Sequence, residues 1–174
     1  TLRNDLTQLT CGSQLDLTSR HFQAPASQFF GDFGFGQIFG QLEGDGFDSP
    51  STKYVVYYDG PVPSSELNVC GRGGGDDDGI GLAIVYVRAC AGVSTAAVLA
   101  HEVLHTLGAV AGAAPNGCDG HVCGNPSDLM SPNIGGEPLE AKLLDAGRDD
   151  YYGHAGLFVD IQDAPWLVQL DRQR

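Results

Sequence analysis

The 174-residue chain has no run of about 18 apolar residues, the length a helix needs to cross a bilayer core, so no segment reads as membrane-spanning. It is short of positive charge: 9 Lys and Arg stand against 22 Asp and Glu, for a formal net charge of −13. Nucleic acids and anionic membranes attract basic faces, so neither is an expected partner. No internal repeat is present. The five cysteines, Cys11, Cys70, Cys90, Cys118 and Cys123, include no CxxC pair, which argues against a structural zinc knuckle. No leader of charged and then apolar residues opens the chain at Thr1, as expected of a mature or trimmed form.

What is present fits one globular domain with a core of its own: 42% of the residues are hydrophobic. Twenty-five glycines imply many tight turns. Cys70 stands before a Gly-rich stretch and Cys90 ends the apolar run after it. Cys118 and Cys123 bracket a short polar segment. Disulfides Cys70–Cys90 and Cys118–Cys123 are therefore expected, in an oxidising extracellular compartment. Cys11 is left over, to pair with a removed segment or to stay free.

Along the chain, the Phe- and Gly-rich segment near Ala26–Phe39 reads as a helix broken by Gly31, Gly34 and Gly36. Lys53–Tyr58 (KYVVYY) and Ile80–Arg88 (IGLAIVYVR) read as strands, rich in β-branched and aromatic residues. Arg72–Gly79 (RGGGDDDG) reads as an exposed turn. Its three aspartates make calcium a possible second cation, although they lack the spaced oxygens of an EF-hand loop. Val93–Leu107 reads as a helix, with Ser94 or Thr95 to cap it and Gly108 at its C-terminal end. Pro138–Ala146 is expected as a short helix with Pro in its first turn, and Leu157–Leu170 as a terminal strand or extended tail.

The chemistry concentrates in Ala100–Gly108 (AHEVLHTLG). Histidines four apart share one helix face, so both imidazoles can reach one ion. Glu102, one position along, sits near that ion without having to ligate it, where a carboxylate can serve as general base toward water. Val98, Val103, Leu104 and Leu107 supply the apolar face of the same helix.

HEVLHTLG resembles the opening of the metzincin signature HExxHxxGxxH, in which Gly lets the chain turn toward a third histidine. The resemblance implies a zinc endopeptidase of mixed α/β (α+β) architecture: a twisted mixed sheet, an active-site helix, and an irregular C-terminal lobe with a Met-containing turn beneath the metal. Residues 1–174 then form a single catalytic domain, with an upper lobe over 1–108 and a lower lobe over 109–174. The family's third-ligand position falls on Ala111, which cannot bind a metal. His121, inside the Cys118–Cys123 segment, is the expected third ligand after a loop insertion; Asp119, Asp128 and His154 are rivals. Met130, the chain's sole methionine, takes the Met-turn position, and Pro132 stands where relatives often carry tyrosine. Tyr151 or Tyr152 is then the candidate oxyanion stabiliser. The likeness is nearest to small secreted metzincins of the snapalysin kind.

These residues lead to a secreted, monomeric hydrolase acting on polypeptides, with His101, His105 and His121 on zinc, Glu102 as general base, and Gly108 and Met130 supporting the site. The substrate is expected to lie extended along a strand within Ile80–Arg88 or just before it. The alternatives are a zinc peptidase with Glu137 or Glu140 as third ligand, a secreted binding protein that keeps a metal site without catalysis, and a calcium-binding adhesion module.

Overall fold

Two apolar runs become neighbouring parallel strands in the computed structural model, which describes residues 34–50, 52–61, 69–75 and 80–164. Strand β1 (Lys53–Tyr58) pairs in parallel with β3 (Gly81–Tyr86), from Lys53 opposite Gly81 to Tyr58 opposite Tyr86. Between them in sequence, β2 (Gly71–Gly75) runs antiparallel to β3, from Gly71 opposite Val85 to Gly75 opposite Gly81. The sheet order is β1-β3-β2. All six residues of β3 are buried, so a strand covered on both faces explains its unbroken apolar run.

The alternation of β3 splits the core in two. Leu82, Ile84 and Tyr86 meet Ile38 and Leu42 of helix α1 (Gly34–Gly44) on one face. Val85, on the other, joins Ala97, Val98 and Leu104 of helix α2 (Thr95–Thr106). The described residues are thus mixed α/β, the fold class that the sequence led us to expect.

Helix α1 is described from Gly34 to Gly44 and runs through Gly36 and Gly40, which therefore do not break it. Its two anchors, Ile38 and Leu42, lie one turn apart, and their burial outweighs the weak propensity of glycine. Gly31 and residues 26–33 lie outside the described residues, as does Cys11. Helix α2 follows its sequence signals closely. The Ser94 hydroxyl accepts from the Ala97 amide at 3.3 Å, and Gly108 leaves the helix at a φ of +84°.

From residue 109 to 164 regular structure is sparse: a hairpin of β4 (Gly117–Cys118) and β5 (His121–Val122), and two 3-10 turns, Leu139–Ala141 and Ile161–Asp163. The helix expected over Pro138–Ala146 is only the first of these turns. Leu143 is drawn into extended pairing instead: its amide donates to the Ser127 carbonyl and its carbonyl accepts from the Leu129 amide, each at 2.8 Å. Leu157–Ala164 forms no strand, since Asp160 folds the segment back by accepting from the Gly153, His154 and Gln162 amides. Residues 165–170 lie outside the described residues.

Buried carboxylates do much of the organising in this stretch. Asp145 accepts from the amides of Asp149, Asp150, Tyr151 and Tyr152, and Asp150 accepts from the Asn116 amide and side chain. Disulfides join Cys70 to Cys90 and Cys118 to Cys123, as expected, with Cα separations of 5.4 and 5.9 Å. They fit an oxidising compartment. No helix among the described residues is long and apolar enough to cross a membrane.

Candidate metal centre

Helix α2 sets the first two site residues. His101 and His105 lie one turn apart, with their Nε2 atoms 3.1 Å from each other and ring centroids 4.8 Å apart. The hairpin brings His121 against both: its ring centroid lies 5.1 Å from that of His101 and 5.0 Å from that of His105. One ring nitrogen from each falls within 4.8 Å of the others, so the three can hold a metal ion.

Two contacts turn these rings the right way. The Nδ1–H of His101 donates to the Leu129 carbonyl at 2.7 Å, and that of His121 to the Asp119 carbonyl at 2.9 Å. With Nδ1 committed as donor, Nε2 of both rings keeps its lone pair for a ligand. Burial, helped by the other histidines, drives His101 down to about 4 and His105 to about 3, although the Leu129 carbonyl partly opposes this for His101. Both are therefore neutral near pH 7, the form that ligates.

Glu102 faces the sheet side of the same helix and is buried. Burial lifts its carboxyl to about 8, and the positive charge of Arg72 opposes the rise. The strand it packs on is β2, and here the sequence reading is corrected. Gly71–Gly75 is not an exposed turn but the outer strand next to β3; residues 76–79, with the three aspartates, lie outside the described residues. Its glycines permit the close approach. A Cβ on Gly71 would stand 2.7 Å from Cγ of Glu102, and one on Gly73 would stand 2.8 Å from Cβ of His105. A side chain at either position would push α2 off the sheet. The run of glycines was the available signal, but it also fits a flexible loop, and periodicity cannot separate the two.

The rivals for third ligand fall elsewhere. Asp119 contributes only its backbone carbonyl, to His121. Asp128 is buried and accepts from the Met130 amide, the Ala146 amide and the Tyr151 hydroxyl. Burial raises its carboxyl above the usual range despite these donors. His154 lies tilted against Phe158, and its Nε2 meets the Val159 carbonyl. Glu137 pairs with Lys142 at 2.7 Å, and Glu140 is exposed. Met130 is fully buried in the core that contains Leu104 and Leu107.

Tyr151 is corrected from a site tyrosine to a buried one. Its hydroxyl accepts from the Asp145 amide at 2.7 Å and donates to Asp128 at 3.0 Å, so it is held within the core. A second acidic group, Asp145, Asp149 and Asp150, also gathers its oxygens. The hydrogen bonds of Asp145 and Asp150 to backbone amides account for those two.

The chain matches no protein-family model, no curated protein and no solved structure.

Proposed function

We propose that this chain is a secreted zinc endopeptidase of metzincin type, with His101, His105 and His121 as ligands and Glu102 as general base. One observation carries the reading: three imidazoles from two separate elements converge beside a buried glutamate of the same HExxH helix. Neutral imidazole is a borderline donor that suits zinc, and three such ligands leave a coordination position open for water or substrate, as catalytic sites require. When bound, zinc supplies Lewis acidity at a carbonyl oxygen and lowers the pKa of water to about 7.

The chain's own residues do the rest. Glu102 takes a proton from the attacking water as its oxygen adds to the scissile carbonyl carbon. It then delivers that proton to the leaving nitrogen as the C–N bond breaks, so one water is consumed per bond. The burial that favours a protonated Glu102 makes its carboxylate a stronger base than an exposed glutamate. The polypeptide lies extended along β2, the strand just before Ile80 that borders α2, because β3 is central and cannot accept another strand. Residues 1–108 and 109–174 then act as the upper and lower lobes of one monomeric domain.

Glu102→Gln separates binding from catalysis. The variant is expected to retain zinc and to lose at least about 100-fold in casein cleavage, the lower end for a positioned proton-transfer group. Cleavage at the parental rate would remove Glu102 from the mechanism. A parent that holds zinc yet cleaves nothing, with or without chelator, would favour the non-catalytic binding protein.

A further inference from the structure

The two metal-side elements meet at one turn. The Leu129 carbonyl accepts from Nδ1–H of His101 at 2.7 Å. The next carbonyl, of Met130, accepts from the Val122 amide at 2.8 Å, beside His121 on β5. Successive carbonyls of a single turn thus hold a ring on α2 and the strand that carries the third histidine.

That turn is fixed from within by a buried carboxylate. Asp128 is 1% exposed. Its Oδ1 accepts from the Met130 amide at 2.8 Å and from the Tyr151 hydroxyl at 3.0 Å, and its Oδ2 accepts from the Ala146 amide at 2.7 Å. Its backbone carbonyl accepts from the Ser131 amide at 3.2 Å. Tyr151 is fully buried and is itself held by the Asp145 amide. All three groups around the carboxylate are donors, so both of its oxygens are engaged in holding the turn. Three anchors on one side chain also give the peptide units at 129 and 130 little freedom to rotate.

We infer that Asp128, held by Tyr151, is a positioning residue of the metal centre that aligns His101 and His121 through the Leu129 and Met130 carbonyls. The inference rests on the three-histidine metal reading, and it assigns the pair a role in ion affinity beyond folding. Partners that orient a ligating histidine typically contribute 10–100-fold in metal affinity.

The test is a competitive zinc titration of the full chain beside Asp128→Asn and Tyr151→Phe, each with a thermal melt. Asp128→Asn keeps one acceptor oxygen and puts an amide where the other accepted. Tyr151→Phe keeps the carboxylate and its two backbone donors, and so preserves the fold if Asp128→Asn does not. The expected result is a zinc affinity about 10-fold weaker or more in the folded variants, with a changed visible spectrum on cobalt substitution as the ligand geometry loosens. Folded variants that bind zinc like the parent, melting lower but with an unaltered cobalt spectrum, would reduce Asp128 to a structural role and overturn the inference. A parent that binds no ion would instead sink the metal reading, and this inference with it.

Discussion

Two stretches of this chain reach the same centre by different means. In the first, residues 53–106, apolar runs build strands β1 and β3 and helix α2, and their order follows from period and propensity. Residues 109–164 have little regular structure, and buried carboxylates that collect backbone amides hold them in place. The first stretch contributes His101, Glu102 and His105; the second contributes His121 and the carbonyl that orients His101. A histidine cluster assembled this way is only as well ordered as its irregular half. The hydrogen bonds of Asp128 and Asp145 therefore matter to the site as much as the packing of α2.

The comparison breaks most sharply at the interface of β2 and α2. Gly73→Ala is expected to cost at least about 3 kcal/mol, the upper range for overpacking, because the added methyl meets helix backbone, which cannot swing aside. Gly74→Ala is the control: its Cβ would find only Phe35, 3.8 Å away, and little change is expected. Equal melting temperatures for the two variants would show that α2 does not pack on β2 as described.

On the irregular side, Asp145→Ala leaves four amides without their acceptor. One buried donor left unsatisfied costs about 1–3 kcal/mol, so a loss of about 3 kcal/mol or more is expected in denaturant unfolding. A loss below about 1 kcal/mol would mean that water replaces the carboxylate.

The disulfides sharpen the contrast further. Replacing Cys70 and Cys90, 20 residues apart, with Ser should destabilise the chain by about 3 kcal/mol on loop entropy. The corresponding change at Cys118 and Cys123, 5 apart, should cost about 2 kcal/mol, yet it should weaken zinc binding more, because that loop carries His121. The reverse order in zinc affinity would mean that the hairpin holds His121 without its crosslink.

The smallest effect concerns acid. Protons compete with the ion for ring nitrogens, and burial has already weakened proton binding at His101 and His105. Lowering the pH of the zinc-loaded protein should therefore release metal with a midpoint below about 6.5, the value for exposed imidazole. Release at or above that pH would indicate solvated rings.

How much of this was legible beforehand follows from the same contrast. The HExxH spacing, the Ser94 cap and the Gly108 terminus are local signals, and they placed α2 and its two clustered histidines within a residue or so. The two apolar strands were equally plain. Cys118–Cys123 and His121 could be read from the short spacing of cysteines around a histidine, and Cys70–Cys90 from the Gly-rich stretch and apolar run that they flank. What was hidden depends on partners distant in sequence. Gly71–Gly75 is a strand because it pairs with β3, and its lack of side chains lets α2 pack against it. Residues 138–146 fail to form a helix because Leu143 pairs with the turn at 127–129. Tyr151 can be interior because Asp128, 23 positions earlier, accepts the hydrogen bond of its hydroxyl. None of these leaves a periodic trace in its own segment.

Zinc-edge X-ray absorption on the purified chain, combined with metal analysis, bears most directly on the centre itself. The account predicts one zinc per chain with three imidazole nitrogens at about 2.0–2.1 Å, one of them lost in His121→Ala. A shell that His121→Ala leaves unchanged, or a folded protein that takes up no zinc at neutral pH, would contradict it.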